Sequence, residues 1–190
     1  MKDDNSKSSN TKMIVIITLL IVGILGASYA FFSIVILKNG TVYTTTGRAA
    51  NNKPVLELVE SNQGIEITNT YPMIDTDGKN TTPFTFDVVN RGSYGAKYDL
   101  ILETKSDNTL PDNLVKTYIK TTTKLLSEYP TTNVVFSGYS HAYVLDSNVV
   151  INAGQTKSYN LYAWVTSEAT LANAQNKTWI SKLRLVAVPV

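Results

Sequence analysis

Residues 83–104, PFTFDVVNRGSYGAKYDLILET, decide the fold. Two runs in this stretch alternate with a period of two. Phe84, Phe86 and Val88 share one side of the first, and Tyr98, Leu100 and Leu102 share one side of the second. Such alternation marks strands with one buried face, and Asn90-Arg91-Gly92-Ser93 between them supplies turn residues.

The same period extends in both directions. Upstream, residues 55–60 set Leu56 and Leu58 on one face, residues 61–64 (SNQG) form a turn, and residues 65–68 (IEIT) resume the alternation. Residues 42–46 are a polar, β-prone strand, and residues 75–82 a polar connection. Downstream, residues 107–113 with Pro111 read as a loop. Residues 114–123 read as a threonine-rich strand, although Val115 and Ile119 also suit a helix face. Residues 124–142 show no period. Residues 143–145 and 149–151 flank an expected turn at Asp146-Ser147-Asn148. Residues 157–165 form a long strand with Tyr159, Tyr162 and Trp164, and residues 179–188 form the last one. Residues 167–174 suit a short surface helix with Ser167 as N-cap. Eight or nine strands and no long helix predict an all-β domain, an antiparallel β-sandwich of jelly-roll or immunoglobulin-like type.

The amino-terminal part is of another kind. Residues 13–37, MIVIITLLIVGILGASYAFFSIVIL, hold no charged side chain and follow Lys2, Lys7 and Lys12. Twenty-five residues at about 1.5 Å each reach about 37 Å, enough for a hydrophobic transmembrane or signal helix across about 30 Å of hydrocarbon. The lysines favour an inside amino terminus. The expected organisation is therefore a cytoplasmic polar region at 1–12, the signal or transmembrane segment at 13–37, and an extracellular β-sandwich domain at 38–190. Ser28 and Ala30 occupy the −3 and −1 positions of a small-x-small processing site, with Phe31 following the cut. Gly23, Gly26 and Ala30 would equally let membrane helices pack. If the chain is cut, Phe31, Phe32, Ile34, Val35, Ile36 and Leu37 become a free apolar strand suited to adding to a sheet edge of the next molecule or to packing in its own domain. If it is not, the domain stays tethered to the membrane.

Composition excludes several functions. There is no cysteine, so an exported domain has no disulfide framework, thiolate metal site or cysteine nucleophile. The net charge of +2 includes +1 from residues 1–12, three lysines against Asp3 and Asp4. No basic stripe suggests nucleic acid as a partner. His141 is the single histidine, and no HExxH or GxSxG pattern occurs. Ser137 or Ser140 with His141 and Asp146 is too common a combination to imply a triad. Asp75, Asp77 and Asn80 match a fragment of a calcium loop without its closing glutamate, and the same residues make ordinary turns. Asn39, Asn80 and Asn176 begin glycosylation sequons. Trp164 and Trp179 suit core filling better than a carbohydrate platform. The chain is expected to be no enzyme and to need no cofactor.

The segment ending Gly26-Ala27-Ser28-Tyr29-Ala30-Phe31-Phe32-Ser33 resembles the export signals of the TasA/camelysin family, which a SipW-type signal peptidase processes. Tyr71-Pro72-Met73 with Asp75-Thr76-Asp77-Gly78, the run from Pro83 through Asn90-Arg91-Gly92, and the turn-and-strand at residues 153–164 are similar to the same family. The resemblance covers most of the chain through loose motifs. It implies a jelly-roll-like domain, secretion to the surface of a Gram-positive bacterium, and service as a fibre subunit of the biofilm matrix. In such fibres a mature amino-terminal segment completes a neighbour's sheet. Residues 31–37 are more apolar than the first mature residues of the best-known members. Camelysin-like members are described as proteases, but no metal-ligand set carries that activity here. The leading expectation is an exported structural protein assembling with identical subunits. A membrane-anchored binding or adhesion module comes second, and a surface protease last.

Overall fold

The computed structural model describes residues 34–37, 41–43, 56–61, 64–68 and 71–188. Residues 13–33, and with them Ser28, Ala30, Phe31, Phe32 and the expected amino-terminal helix, lie outside the described residues. Among the described residues no helix is long and apolar enough to cross a membrane. The described end of the apolar segment is a strand.

The eleven described strands are β1 (Ile34–Leu37), β2 (Thr41–Tyr43), β3 (Leu56–Glu60), β4 (Ile65–Thr68), β5 (Phe84–Asn90), β6 (Ala96–Lys105), β7 (Val115–Ile119), β8 (Thr122–Leu125), β9 (Tyr139–Ile151), β10 (Thr156–Val165) and β11 (Thr178–Val188). They form two antiparallel sheets. Sheet A runs β2-β1-β11-β6-β9, with β4 also on β11, and sheet B runs β3-β5-β10-β7-β8. Period two explains the packing. Tyr98, Leu100 and Leu102 of β6 lie opposite Ala187, Leu185 and Leu183 of β11, and all six are buried. Phe84, Phe86 and Val88 of β5 meet Leu161, Tyr159 and Lys157 of β10. Each fully buried leucine or phenylalanine contributes about 1.5–3 kcal/mol. The hydroxyls of Tyr98 and Tyr159 bond each other in the core, linking the sheets, and burial raises the pKa of both. Tyr159 also stacks on Phe86 at 4.9 Å.

Three expectations need correction. Residues 114–123 are not one strand but part of a hairpin. Ile119 pairs with Thr122, and the two-residue turn between them begins at Lys120 with φ 56°. Asn-Gly or Asp-Gly would have announced that turn; Lys-Thr does not. Asp146-Ser147-Asn148 does not reverse the chain. Strand β9 runs through it, and its pairing with β6 shifts register between Tyr98 and Ile101. The turn-forming residues make a bulge, with Asn148 at φ 54° and its N–H on Asp99 Oδ1 at 2.7 Å. The helix at residues 167–174 shrinks to Leu171–Ala174, preceded by Thr170 with no side-chain cap, so Ser167 is no N-cap.

Residues 75–82 contain one helical turn, Asp75–Gly78, laid on the outer side of sheet B. Trp164 alternates with the inward Ala163 and Val165, so it faces outward, yet it is only 1% exposed. The helical turn covers it, with Gly78 against the indole. A Cβ on Gly78 would lie 2.2 Å from Trp164 Cδ2. Lys116 beside Trp164 ties the turn down through Asp75 at 2.9 Å. Gly78→Ala should therefore cost about 1–3 kcal/mol by overpacking, read from urea unfolding. A stability equal to wild type would mean that the turn is not seated on Trp164.

Candidate functional site

Strand β11 is the best-connected strand of sheet A. Ser181 pairs with Thr104 of β6 and Ile65 of β4, which must lie on opposite edges. Leu185 likewise pairs with Leu100 of β6 and Ile36 of β1. β4 and β1 thus lie end to end along one edge of β11, β4 beside Thr178 to Ser181 and β1 beside Leu185 to Ala187. The pairs are Ile34 with Ala187, Val35 with Val186 and Ile36 with Leu185. β2 then pairs with β1, joining Val35 to Tyr43 and Leu37 to Thr41. Ile34, Val35, Ile36 and Leu37, read from the sequence as a strand seeking a sheet edge, occupy an edge of their own domain. They do so as the inner arm of a hairpin. Without that hairpin, the backbone of Leu185 to Ala187 would lose its partner on this side.

The other sequence candidates are scattered. Asp75 pairs with Lys116, Asp77 and Asn80 are exposed, and Asp77 lies on the same helical turn as Asp75. No group of three or more His, Asp or Glu side chains among the described residues is placed to hold a metal. Asp146 pairs with Lys120, so it does not serve His141. His141 turns to Asp112, its Nδ1 2.8 Å from Oδ2. Ser140 Oγ lies 3.4 Å from that same nitrogen, which Asp112 already engages. Ser140 thus meets the nitrogen that Asp112 holds, and Ser140, His141 and Asp146 do not form a triad. Asn80 and Asn176 are exposed, while Asn39 lies outside the described residues. Trp179 is fully buried and Trp164 nearly so, which leaves neither as a carbohydrate platform.

Two polar centres escape sequence reading. Asp112 gathers four donors. Oδ2 accepts from Thr104 Oγ1 at 2.8 Å, Tyr143 OH at 2.9 Å and His141 Nδ1, while Oδ1 accepts from Trp179 Nε1 at 2.8 Å. One carboxylate thus fastens the loop before β7 to β6, β9 and β11. Burial, then the Asp112 charge, raises the Tyr143 pKa and keeps that hydroxyl a donor. The second centre is the ion pair of Glu103 on β6 and Arg184 on β11, Nε to Oε1 at 2.7 Å, with side-chain exposures of 0% and 4%. Both alternate outward, yet residues 133–136 close over them. Glu103 also accepts from the N–H groups of Val135 and Phe136, and Arg184 donates to the Asn133 carbonyl. Neither centre had a signal in sequence: a lone Asp in a loop and a Glu in a strand are commonplace.

No protein-family model matches the chain, and no curated protein matches its sequence. Among solved structures, the fold is similar to a chain in "Crystal structure of the T13 IBDV viral particle reveals a missing link in icosahedral viruses evolution". That similarity has a TM-score of 0.34 and 11% identity, covering 80% of this chain and 34% of that one. The chain thus spans about a third of the length of that neighbour.

Asp112→Ala leaves the buried Trp179 Nε1 and Thr104 hydroxyl without their acceptor and should destabilise by about 2–4 kcal/mol in urea unfolding. Asp112→Asn, which keeps one carbonyl oxygen, should lose less. A loss below about 1 kcal/mol for Asp112→Ala would deny Asp112 its fastening role.

Proposed function

We propose that this is an exported, non-enzymatic structural protein of the bacterial surface or biofilm matrix, a jelly-roll fibre subunit that assembles through its amino-terminal strand. The strand order supports the jelly-roll form. From β4 onward the chain passes between sheets at β4–β5, β5–β6, β6–β7, β8–β9, β9–β10 and β10–β11, with β4-β11-β6-β9 facing β5-β10-β7-β8. The resemblance of residues 26–33 and 71–92 to TasA/camelysin proteins supports export by a SipW-type signal peptidase, with residues 13–27 as the membrane-inserting part. Cleavage after Ala30 would free Phe31 to begin the mature chain.

The observation that carries the assembly reading is the place of β1. An edge of β11 is completed by residues that lie next to the proposed cut, far in sequence from β6, the partner on the other edge. A segment that completes its own sheet makes the same pairs in a neighbour, so exchange between copies costs little beyond linker entropy. Twelve residues separate Tyr43 from Leu56, and such a length reaches at most about 40 Å. That suffices for the β1–β2 hairpin to be donated as a unit. Burying it in a neighbour also hides an apolar segment that would be an aggregation hazard in water.

Amino-terminal sequencing of the protein recovered from cells should begin at Phe31. Recombinant protein starting there should form filaments by electron microscopy, and removal of residues 31–37 should abolish them. Recovery of an intact 13–37 segment from the membrane fraction would instead support the anchored binding module. Filaments that persist without residues 31–37 would contradict the strand as connector.

A further inference from the structure

Sheet A ends at β9, and an open terminal strand invites a second copy of the chain to add there. This edge is covered from within. Thr131 bridges Tyr143 antiparallel, on the side of β9 opposite Leu102 of β6. The Thr132 N–H bonds the Ala142 carbonyl at 3.0 Å, and the Val144 N–H bonds the Pro130 carbonyl at 2.8 Å. Immediately afterwards the chain folds over the outer face of the sheet. There Glu103 and Arg184 hold the backbone of Asn133, Val135 and Phe136.

We infer that residues 130–138 are a built-in plug that prevents a second copy of this chain from adding at β9, so that self-association is confined to the β11 side. The confinement to β11 rests on the assembly reading above; the plug itself does not. Beyond the plug, β9 bulges at residues 146–148, where Asn148 adopts a left-handed conformation and Lys120 pairs with Asp146. A bulge misaligns the ladder an incoming strand would need. The terminal strand of sheet B on the same flank, β8, has four residues and carries an exposed lysine, Lys124. Short, charged edges resist pairing. The flank is thus blocked at each strand, whereas the opposite flank carries the β1–β2 hairpin.

The ion pair explains how a nine-residue loop stays in place. Glu103 receives two backbone N–H groups and a guanidinium, and Arg184 adds the Asn133 carbonyl. Lifting the loop would leave both charges short of partners on the face of the sheet.

In the wild-type protein, amide hydrogen exchange at Thr132, Val135, Phe136 and Val144 should be as slow as in the β6–β9 ladder. Exchange at Thr132 and Val144 as fast as in an exposed loop would overturn the plug. Thr132→Pro removes the N–H that bonds Ala142. Glu103→Gln combined with Arg184→Met removes both charges together, leaving neither buried alone. Each folded variant, checked by near-UV circular dichroism, should give laterally paired or branched filaments where wild type gives single ones. Native-like variants whose filaments match wild type also overturn it. If wild type forms no filaments, the assembly reading falls. The plug is then decided by the exchange pattern and by light scattering, in which the variants should shift from monomer to dimer.

Discussion

Strand β11 must satisfy both of its edges along eleven residues, and the rest of sheet A follows from how it does so. One edge is settled by β6 through eight paired residues, from Ser181 with Thr104 to Val188 with Lys97. The other needs two strands in tandem, because β4 stops at Ser181. Further along, Leu185 to Ala187 are paired by β1, which comes from the end of the apolar amino-terminal segment. Backbone groups in a sheet interior demand partners, so some strand has to stand where β1 stands. In the proposed assembly, the owner of that strand, this chain or a neighbour, is what separates a monomer from a fibre.

The two flanks differ in how their edges are made safe. On the β9 flank the cover is internal and clamped by buried charges, which hold it through several hydrogen bonds at once. On the β11 flank the cover is a two-strand hairpin linked to the body through β2, whose outer edge has no described partner in sheet A. Exchange favours the second kind of cover. A hairpin can leave and re-form its own internal pairs elsewhere, whereas residues 130–138 are tied to β6, β9 and β11 simultaneously.

Much of this fold is legible in residue order. Phe84, Phe86 and Val88, and Tyr98, Leu100 and Leu102, alternate cleanly because one face of each strand is buried, and both sets are core residues. The strand character of residues 34–37 was one of two readings open from sequence, and composition could not choose between them. Other elements resist reading for physical reasons. The bulge at Asp146-Ser147-Asn148 uses the same residues as a reversal, since both need a left-handed residue and side-chain hydrogen bonding. The Lys120 turn is stabilised by Asp146, twenty-six residues away. Trp164 is buried on the outer face, where alternation alone predicts exposure, because a helical turn ending in Gly78 covers it. Asp112 and Glu103 acquire their roles only when strands distant in sequence bring donors to them.

The most direct measurement places single cysteines at Val35 and Val186, paired positions in β1 and β11, in a chain that otherwise contains none. After assembly and mild oxidation, a non-reducing gel should show a ladder of covalently linked subunits, because the proposed assembly moves each β1 from its own β11 to that of a neighbour. A single band at the mass of one chain, from filaments that formed normally, would place β1 on its own domain and contradict the account.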